Sequence, residues 1–264
     1  MKNLLPLAVC ALCVGLSLPA GAADHPGESG WISLFNGRDL DGWIVKVAKH
    51  PLGENFANTF RVEDGVIKVS YDGYDRFDEQ FAHLYSTIPY SRYILRLEYR
   101  FTGRAMPDAP RWAHLNSGVM IHSQSPLSMS RDQLWPASLE FQFLAEGTSA
   151  GRQTGNVCTP GTNLERKGQL VTDHIIDATG STLSPLDTWI AVEIEVHGND
   201  EVIHRVNGRE VLRYQHPQLD PQSSEAQPLL ARGAPLQLSC GHIALQAESQ
   251  PVWFRNIRLR PLDR

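Results

Sequence analysis

Apolar and polar residues alternate along two neighbouring stretches of the chain. Residues 138–143 read Ser-Leu-Glu-Phe-Gln-Phe, so every second residue is apolar. Residues 116–123 read Asn-Ser-Gly-Val-Met-Ile-His-Ser, in which a valine and an isoleucine share one face and His122 lies on the other. Side chains of a strand point alternately to opposite faces of the sheet. The pattern therefore predicts two strands, each with one face in the core and one polar face that carries His122 or Glu140.

The same alternation returns along the rest of the chain. It is clean in residues 93–101 and 189–196. Asp64-Gly65 and Asn207-Gly208 lie between alternating runs and predict tight hairpin turns, because both residues accept the positive φ that such turns need. Two further strand candidates near the C-terminus are residues 241–247 and 252–259. About a dozen strand candidates and no convincing amphipathic helix predict an all-β sandwich or barrel.

One long segment, residues 144–187, is rich in Gly, Thr and Ser and shows no clear period. A loop of this length inside a compact domain is usually functional or contains small elements of its own. No internal repeat and no interdomain linker is apparent. The sequence therefore predicts a single domain over residues 24–264.

The N-terminus has the organisation of a secretory signal peptide. Lys2 supplies a positive charge, the stretch Leu4–Leu18 is apolar, and small residues follow up to Ala23. The apolar stretch is shorter than the roughly 20 residues that a membrane span needs. We expect residues 1–23 to be removed, with cleavage after Ala22 or Ala23, and a bacterial protein without a membrane span to reach the periplasm or the exterior.

Charge and cysteine content narrow the function classes. The net charge of -5 and the pI of about 6.0 provide no basic excess, so a nucleic-acid partner is not expected. Once the signal peptide is removed, Cys158 and Cys240 are the remaining cysteines. An oxidising compartment would permit a disulfide between them, and two buried free thiols are the alternative.

Common catalytic motifs are missing from the sequence. It contains no P-loop, dinucleotide fingerprint, His-Glu-x-x-His or Gly-x-Ser-x-Gly. What remains is a set of polar residues within strand-like runs, namely His122, Glu140, Gln142, His204, Gln246, Glu248 and Arg255. Burying a charge is costly unless it is paired, so such residues lie either on a solvated face or around a ligand. Carboxylates, amides and an arginine beside aromatic rings suit a sugar, which presents hydroxyls and apolar ring faces.

Three groups of residues together resemble a known family. They are Ser-Leu-Phe-Asn-Gly-Arg-Asp-Leu-Asp-Gly-Trp at 33–43, Asn-Ser-Gly-Val at 116–119 with Leu-Glu-Phe-Gln at 139–142, and Gly-His-Ile-Ala-Leu-Gln at 241–246 followed by Val-Trp-Phe-Arg-Asn-Ile-Arg-Leu at 252–259. In this order they are similar to the 3-keto-disaccharide hydrolase domain family, over roughly residues 31–260. The resemblance implies a concanavalin A-like jelly-roll β-sandwich of two antiparallel sheets, and an exported enzyme that acts on 3-keto-glycosides.

The implied chemistry starts from a sugar already oxidised at C3. The ketone acidifies the C2–H, a general base removes that proton, and the bond at C1 breaks by elimination, with or without rehydration. This reaction needs a base, an acid for the leaving oxygen and an electrophile for the enolate. The resemblance implies as catalytic candidates His122, Glu140 and His204 for acid and base, and Arg255 for the enolate. A divalent metal (Ca, Mn or Zn) is the alternative to Arg255, although no cofactor is certain.

Substrate contacts are expected from the same surface and from the loop between its two strands. The candidates are Asn116, Gln142, Gln246, Glu248 and, in the loop, Trp135. The expected partner is a small carbohydrate, and the oligomeric state stays open.

Two other functions compete with this interpretation. A non-catalytic sandwich of the lectin or laminin-G type would show a shallow aromatic face without a convergent base. A standard glycoside hydrolase would need two carboxylates about 5–10 Å apart, for which Glu140 and Glu248 are the candidates. The keto-glycoside interpretation predicts that His122, Glu140 and either His204 or Arg255 converge on one face of the sheet.

Overall fold

The computed structural model describes residues 29–263. The predicted signal peptide, residues 1–23, lies outside them, so export and cleavage stay predictions that N-terminal sequencing of the mature protein would check. In residues 29–263 no helix is both long enough and apolar enough to cross a membrane.

Strands supply most of the regular secondary structure of the described chain, as the alternating pattern predicts. In chain order they are β1 (Ile32–Ser33), β2 (Trp43–Val47), β3 (Phe60–Glu63), β4 (Val66–Val69), β5 (Ala82–Ser86), β6 (Arg92–Phe101), β7 (Asn116–Ser123), β8 (Leu139–Leu144), β9 (Val157–Cys158), β10 (Thr162–Arg166), β11 (Gln169–Val171), β12 (Ile175–Ile176), β13 (Ile190–His197), β14 (Val202–Val206), β15 (Arg209–Leu219), β16 (His242–Ala247) and β17 (Val252–Pro261). Helical structure consists of α1 (Gln227–Ala231) and three short 3₁₀ helices, Phe56–Asn58, Arg111–Ala113 and Pro126–Ser128.

The strands form two antiparallel sheets packed face to face. The larger sheet has the order β11-β10-β15-β14-β13-β6-β17-β4-β3, with β1 paired to β17. The smaller sheet has the order β12-β9-β8-β7-β16-β5-β2. The predicted jelly-roll sandwich is therefore confirmed. Both hairpin turns form as expected, with φ of 54° at Asp64 and 48° at Asn207.

The core between the sheets uses the apolar faces that the sequence predicts. Leu139, Phe141 and Phe143 of β8 are fully buried. Phe143 stacks on Tyr99 of the larger sheet, with ring centroids 4.1 Å apart. Full burial of one such side chain contributes about 1.5–3 kcal/mol. These contacts fix the position of β8 relative to the larger sheet. They thereby also fix the position of its opposite, polar face.

The unassigned segment, residues 144–187, contains four short strands that divide between the sheets. β9 and β12 extend the smaller sheet, whereas β10 and β11 extend the larger one. The segment therefore crosses from one sheet to the other along one side of the sandwich. Strands of two to five residues are too short to show a period, which explains why the sequence did not reveal them.

No disulfide joins Cys158 and Cys240, so of the two alternatives that the sequence left open the structure has the two separate thiols. Cys158 lies on β9, and Cys240 precedes β16, three places away in the strand order of the smaller sheet. At about 4.8 Å per strand this separation is roughly 14 Å. A disulfide requires Cα atoms within about 7 Å of each other.

Candidate active site

A cavity of about 670 Å³ opens on the outer face of the smaller sheet, opposite the core. Its floor comes from β7, β8, β9 and the residues that follow β16. Its walls come from the segment 144–187, the loop that begins at Asp220 and two tryptophans. The lining residues include Trp112, Asn116, Trp135, Glu140, Gln142, Arg152, Cys158, Asn163, His174, Glu225 and Glu248.

Two glutamates, Glu140 and Glu248, lie almost completely buried in the floor of this cavity. Their residues are 5% and 3% exposed, respectively. Burial raises the pKa of Glu140 to about 8. Burial also raises the pKa of Glu248, and the charge of Glu140 raises it further. Two carboxyl groups in this situation cannot both ionise easily, so the pair keeps a proton at neutral pH.

A missing side chain on the neighbouring strand makes room for Glu140. A Cβ atom built at Gly118 would lie 2.5 Å from Cγ and 2.6 Å from Oε1 of Glu140. The Glu140 side chain therefore extends across Gly118 towards β16. Because Glu248 follows the end of β16, the glycine allows the two carboxyl groups to approach each other.

A chain of amides fixes the floor next to the carboxylates. The Gln142 amide donates to Asn116 Oδ1 at 3.1 Å and accepts from Asn156 Nδ2 at 2.8 Å. Asn156 Oδ1 accepts in turn from the backbone N–H of Ala178. Asn156 and Ala178 belong to the segment 144–187, so this network attaches the wall of the cavity to its floor.

A row of buried polar side chains runs from Gly118 across β16 and β5, next to the cavity floor. We call it the second polar row. The register that pairs Leu245 with Val119 places Gln246 beside Gly118, and Gln246 in turn faces His83. Both amide atoms of Gln246 and Nε2 of His83 are buried without a hydrogen-bond partner among residues 29–263. Burial and the charge of Lys46 lower the pKa of His83 to about 3, so its ring is neutral.

Trp135 lies across this second row. It packs on Tyr85 and Ala244, which lie on one side of the row, and its ring centroid is 4.6 Å from that of Phe81 on the other side. Gln246, a predicted substrate contact, is therefore behind Trp135 and does not line the cavity. The other candidates of that group, Asn116, Gln142, Glu248 and Trp135, do line it.

The predicted catalytic residues other than Glu140 lie elsewhere. His122 sits in a β-bulge with φ of 48°, and its Nε2 lies 2.9 Å from Gly198 O of the larger sheet. The bulge adds one residue to β7 and shifts the alternation, so the side chain turns away from the cavity face. Burial lowers the pKa of His122 to about 4.

His204 and Arg255 are displaced more clearly. His204 is buried between the sheets, where its ring stacks on Phe141 at 4.2 Å and its Nδ1 lies 3.0 Å from Gly155 O. Burial lowers its pKa to about 4. Arg255 lies on the outer face of the larger sheet, over the Trp189 ring and 2.7 Å from Glu98. Contrary to the prediction, these side chains and His122 do not share a face with Glu140.

Several lining residues escape the sequence pattern, because they come from irregular segments. Arg152, which pairs with Asp177 at 3.0 Å, lines the wall together with His174. Burial and the charge of Arg152 lower the pKa of His174. Cys158 faces Glu140 in the register, and burial and the carboxylates raise the pKa of its thiol, so it remains protonated. The only sequence signal for such lining residues is a tryptophan or an arginine within a polar loop. This signal is weak, because many surface loops contain these residues.

The described part of the chain contains no group of three or more His, Cys, Asp or Glu side chains that could hold a metal ion. Two carboxylates and a protonated thiol do not make a complete ligand set for Ca, Mn or Zn.

The role of Gly118 can be tested by a double-mutant cycle. We expect Gly118→Ala to destabilise the protein by about 1–3 kcal/mol, because the new methyl group overlaps the Glu140 side chain. In a Glu140→Ala background the same substitution should cost much less. Urea unfolding of the four proteins measures the coupling. Additive effects would show that Gly118 does not make room for Glu140.

The raised pKa of Glu140 predicts a pH-dependent cost to stability. The unfolded chain releases this proton near pH 4.5, whereas the folded chain holds it up to about pH 8. Protonated Glu140 therefore contributes its full stability to the fold below the pKa of the unfolded state. This contribution is lost as the pH rises towards the pKa of the folded state. Relative to wild type, Glu140→Gln should therefore gain on the order of 4 kcal/mol between about pH 4 and about pH 7.5.

Chemical denaturation at both pH values measures this gain. Glu63→Gln, on β3 in the larger sheet and exposed, is the control and should show little change between them. A stability difference for Glu140→Gln that is independent of pH would contradict the raised pKa.

Comparison with known proteins finds relatives in sequence and in fold. A curated 3-keto-disaccharide hydrolase of Bacteroides thetaiotaomicron is 24% identical over 271 residues, which cover 94% of this chain and 82% of the relative. Among solved structures, a protein assigned as a glycosyl hydrolase from Parabacteroides distasonis matches with a TM-score of 0.52 and 18% identity, over 89% of this chain and 94% of the other. A Bacillus subtilis protein of unknown function with a galectin-like fold matches with a TM-score of 0.50 and 12% identity, over 84% and 90%.

At these identities the solved structures support the fold alone. The family assignment rests on the sequence profile of the 3-keto-alpha-glucoside-1,2-lyase-like domain, which matches residues 30–260 and thus nearly all of the described chain. The chain belongs to the 3-keto-alpha-glucoside-1,2-lyase-like domain family.

Proposed function

We propose that this protein cleaves 3-keto-glycosides by removing the C2 proton and expelling the leaving group from C1. The observation that carries the proposal is the pair Glu140 and Glu248, which are buried in one cavity, where the charge of Glu140 raises the pKa of Glu248. A base and an acid are both required in this reaction, and the pair supplies both. The family and the curated relative provide the substrate class.

The coupling between the two groups suggests their roles. Burial raises the pKa of both carboxyl groups, and the charge of Glu140 raises that of Glu248 further. We therefore assign Glu140 as the base, because its ionised form helps Glu248 to keep the proton that an acid needs. One oxygen of Glu248, Oε2, is buried without a partner among the described residues, so it is available to a ligand.

In the elimination, the Glu140 carboxylate takes the C2 proton, and the electrons move towards the C3 carbonyl oxygen. The enolate then forms the C1–C2 double bond while the C1–O bond breaks, and Glu248 protonates the departing oxygen. The products are the free leaving group and an unsaturated ketone. The proton has changed sides, because Glu140 is now protonated and Glu248 ionised.

Addition of water restores the pair. Ionised Glu248 accepts a proton from a water molecule while the water oxygen bonds to C1. Glu140 returns a proton to C2. Hydrolysis therefore leaves both groups ready for another turnover, whereas simple elimination requires a separate proton exchange. The Asn163 amide and the Arg152 guanidinium, which both line the cavity, are the candidate donors to the enolate oxygen.

The buried pair Glu140 and Glu248 also bears on two alternative functions, a carbohydrate-binding sandwich and a standard glycoside hydrolase. A carbohydrate-binding sandwich gains nothing from burying two carboxyl groups, which destabilises the fold, so an enzyme is favoured. A standard glycoside hydrolase also uses two carboxylates and is the second candidate function. It differs in one respect, because it does not need a ketone at C3.

The substrate requirement tests the proposal. We expect wild-type protein to release the leaving group from a 3-keto-glucoside and not from the matching unoxidised glucoside. A 3-keto-glucoside that carries deuterium at C2 should react more slowly than the unlabelled one, because the proposed step breaks the bond from C2 to hydrogen. Glu140→Gln should lower kcat/KM by at least about 100-fold, while Glu63→Gln should not. Release from the plain glucoside would favour the standard hydrolase, and release from neither would sink the proposal for these substrates.

The assignment of base and acid predicts a bell-shaped dependence of kcat/KM on pH. Activity should rise as the pH approaches the pKa of Glu140, about 8, and fall when Glu248 loses its proton. Glu248→Gln should abolish cleavage of an alkyl 3-keto-glucoside and retain much of the activity on a nitrophenyl one, whose leaving group needs no acid. Equal losses on both substrates would remove Glu248 from the role of acid.

A further inference from the structure

A tryptophan in the cavity wall is far more exposed than a structural role requires. Trp112 is 48% exposed, whereas the other exposed large apolar side chains among residues 29–263 are aliphatic. Single exposed aliphatic residues are normal on protein surfaces. Trp112 is different because it lines the cavity that also contains the buried carboxyl pair.

The backbone that carries Trp112 is held unusually firmly. It forms the centre of the 3₁₀ helix Arg111–Ala113, and each of the three carbonyl oxygens of this helix accepts a hydrogen bond from a different part of the chain. The donors are Ser149 Oγ to Arg111 at 3.0 Å, Asn116 Nδ2 to Trp112 at 3.2 Å, and Ser249 Oγ to Ala113 at 3.1 Å. Donors from the wall, from β7 and from the segment after β16 thus position one residue.

The indole ring is supported from one side. It lies nearly parallel to the Phe81 ring, with an interplanar angle of 12° and centroids 5.8 Å apart. The Trp135 ring is tilted by 49° at 6.0 Å. A rigid ring with one face backed and the residue half open to a cavity is suited to stack on a flat, apolar ring face of a ligand.

We propose that Trp112 is the stacking platform for the leaving group of the substrate, and that the protein therefore prefers leaving groups with a ring. The inference rests on the proposed function. The reacting sugar must sit over Glu140 and Glu248, which are nearly inaccessible at the floor. A half-exposed ring belongs at the mouth, where the part of the substrate beyond C1 lies.

The attachments of Trp112 place the platform close to the reacting bond. Ser249, which holds the Ala113 carbonyl, directly follows Glu248, the proposed acid. The group that receives the proton of Glu248 is the leaving oxygen, so the ring attached to that oxygen is the one beside Trp112. A cavity of about 670 Å³ lies within the usual range of ligand pockets, about 300–1,000 Å³, and leaves room for a second ring.

The test compares leaving groups in one series. We would measure kcat/KM of wild type and Trp112→Ala on methyl 3-keto-glucoside, on a 3-keto-disaccharide and on a phenyl 3-keto-glucoside. The loss caused by the substitution should be about tenfold larger for the two ring-bearing substrates than for the methyl one. Trp112→Phe should recover most of the preference. Trp31→Ala, on the larger sheet, is the matched control and should leave the ratios unchanged.

The outcomes separate the inference from the proposed function. An equal loss on all three substrates, or no loss on any, overturns the platform. A loss on the disaccharide alone, or on the phenyl glycoside alone, supports the platform and identifies which ring it holds. If wild type cleaves none of them, the proposed function fails. Calorimetric binding of a sulfur-linked 3-keto-disaccharide then decides, because the platform requires tighter binding to wild type than to Trp112→Ala.

Discussion

The candidate active site depends on the carboxyl groups of Glu140 and Glu248, which the fold keeps buried and near each other. Neither burial nor mutual repulsion favours folding, so the rest of the sandwich must offset both. It does so from the opposite face of the same strand, where Phe141 and Phe143 pack between the sheets and stack on His204 and Tyr99. The position of Glu140 is therefore set by residues that never contact a ligand.

This arrangement also requires space for the Glu140 side chain, and a glycine on the neighbouring strand provides it. Gly118 gives the Glu140 side chain room to cross β7, and the amides of Gln142, Asn116 and Asn156 hold the surrounding floor. The polar face of the smaller sheet then divides into two halves. One half is the open cavity, and the other, with His83 and Gln246, is closed by Trp135.

The sequence predicted the parts of this structure that repeat with a regular period. Strands β7 and β8 and the hairpin turns follow from this alternation. Glu140 and Glu248 were named as a pair only for a standard glycoside hydrolase, and the sequence did not show that they lie in one cavity. His122 and His204 were misplaced for different reasons. A one-residue bulge, which the order of apolar and polar residues in the sequence does not reveal, turns the His122 side chain inward. His204 lies on the buried face of a strand, where a polar residue satisfied by Gly155 and Tyr214 looks no different in sequence from a ligand-binding one. The walls are built from strands of two to five residues and from loops, whose positions depend on tertiary contacts that a sequence does not display.

The segment 144–187 has a consequence for the solubility of the molecule. Its strands β11 and β12 are the outermost strands of the two sheets on that side, and they contain three and two residues. Short edge strands give other chains little to pair with, which protects β-sandwiches against aggregation. Ile175 of β12 also lines the cavity. A substitution there would therefore change the lining of the cavity and the edge of the smaller sheet at the same time.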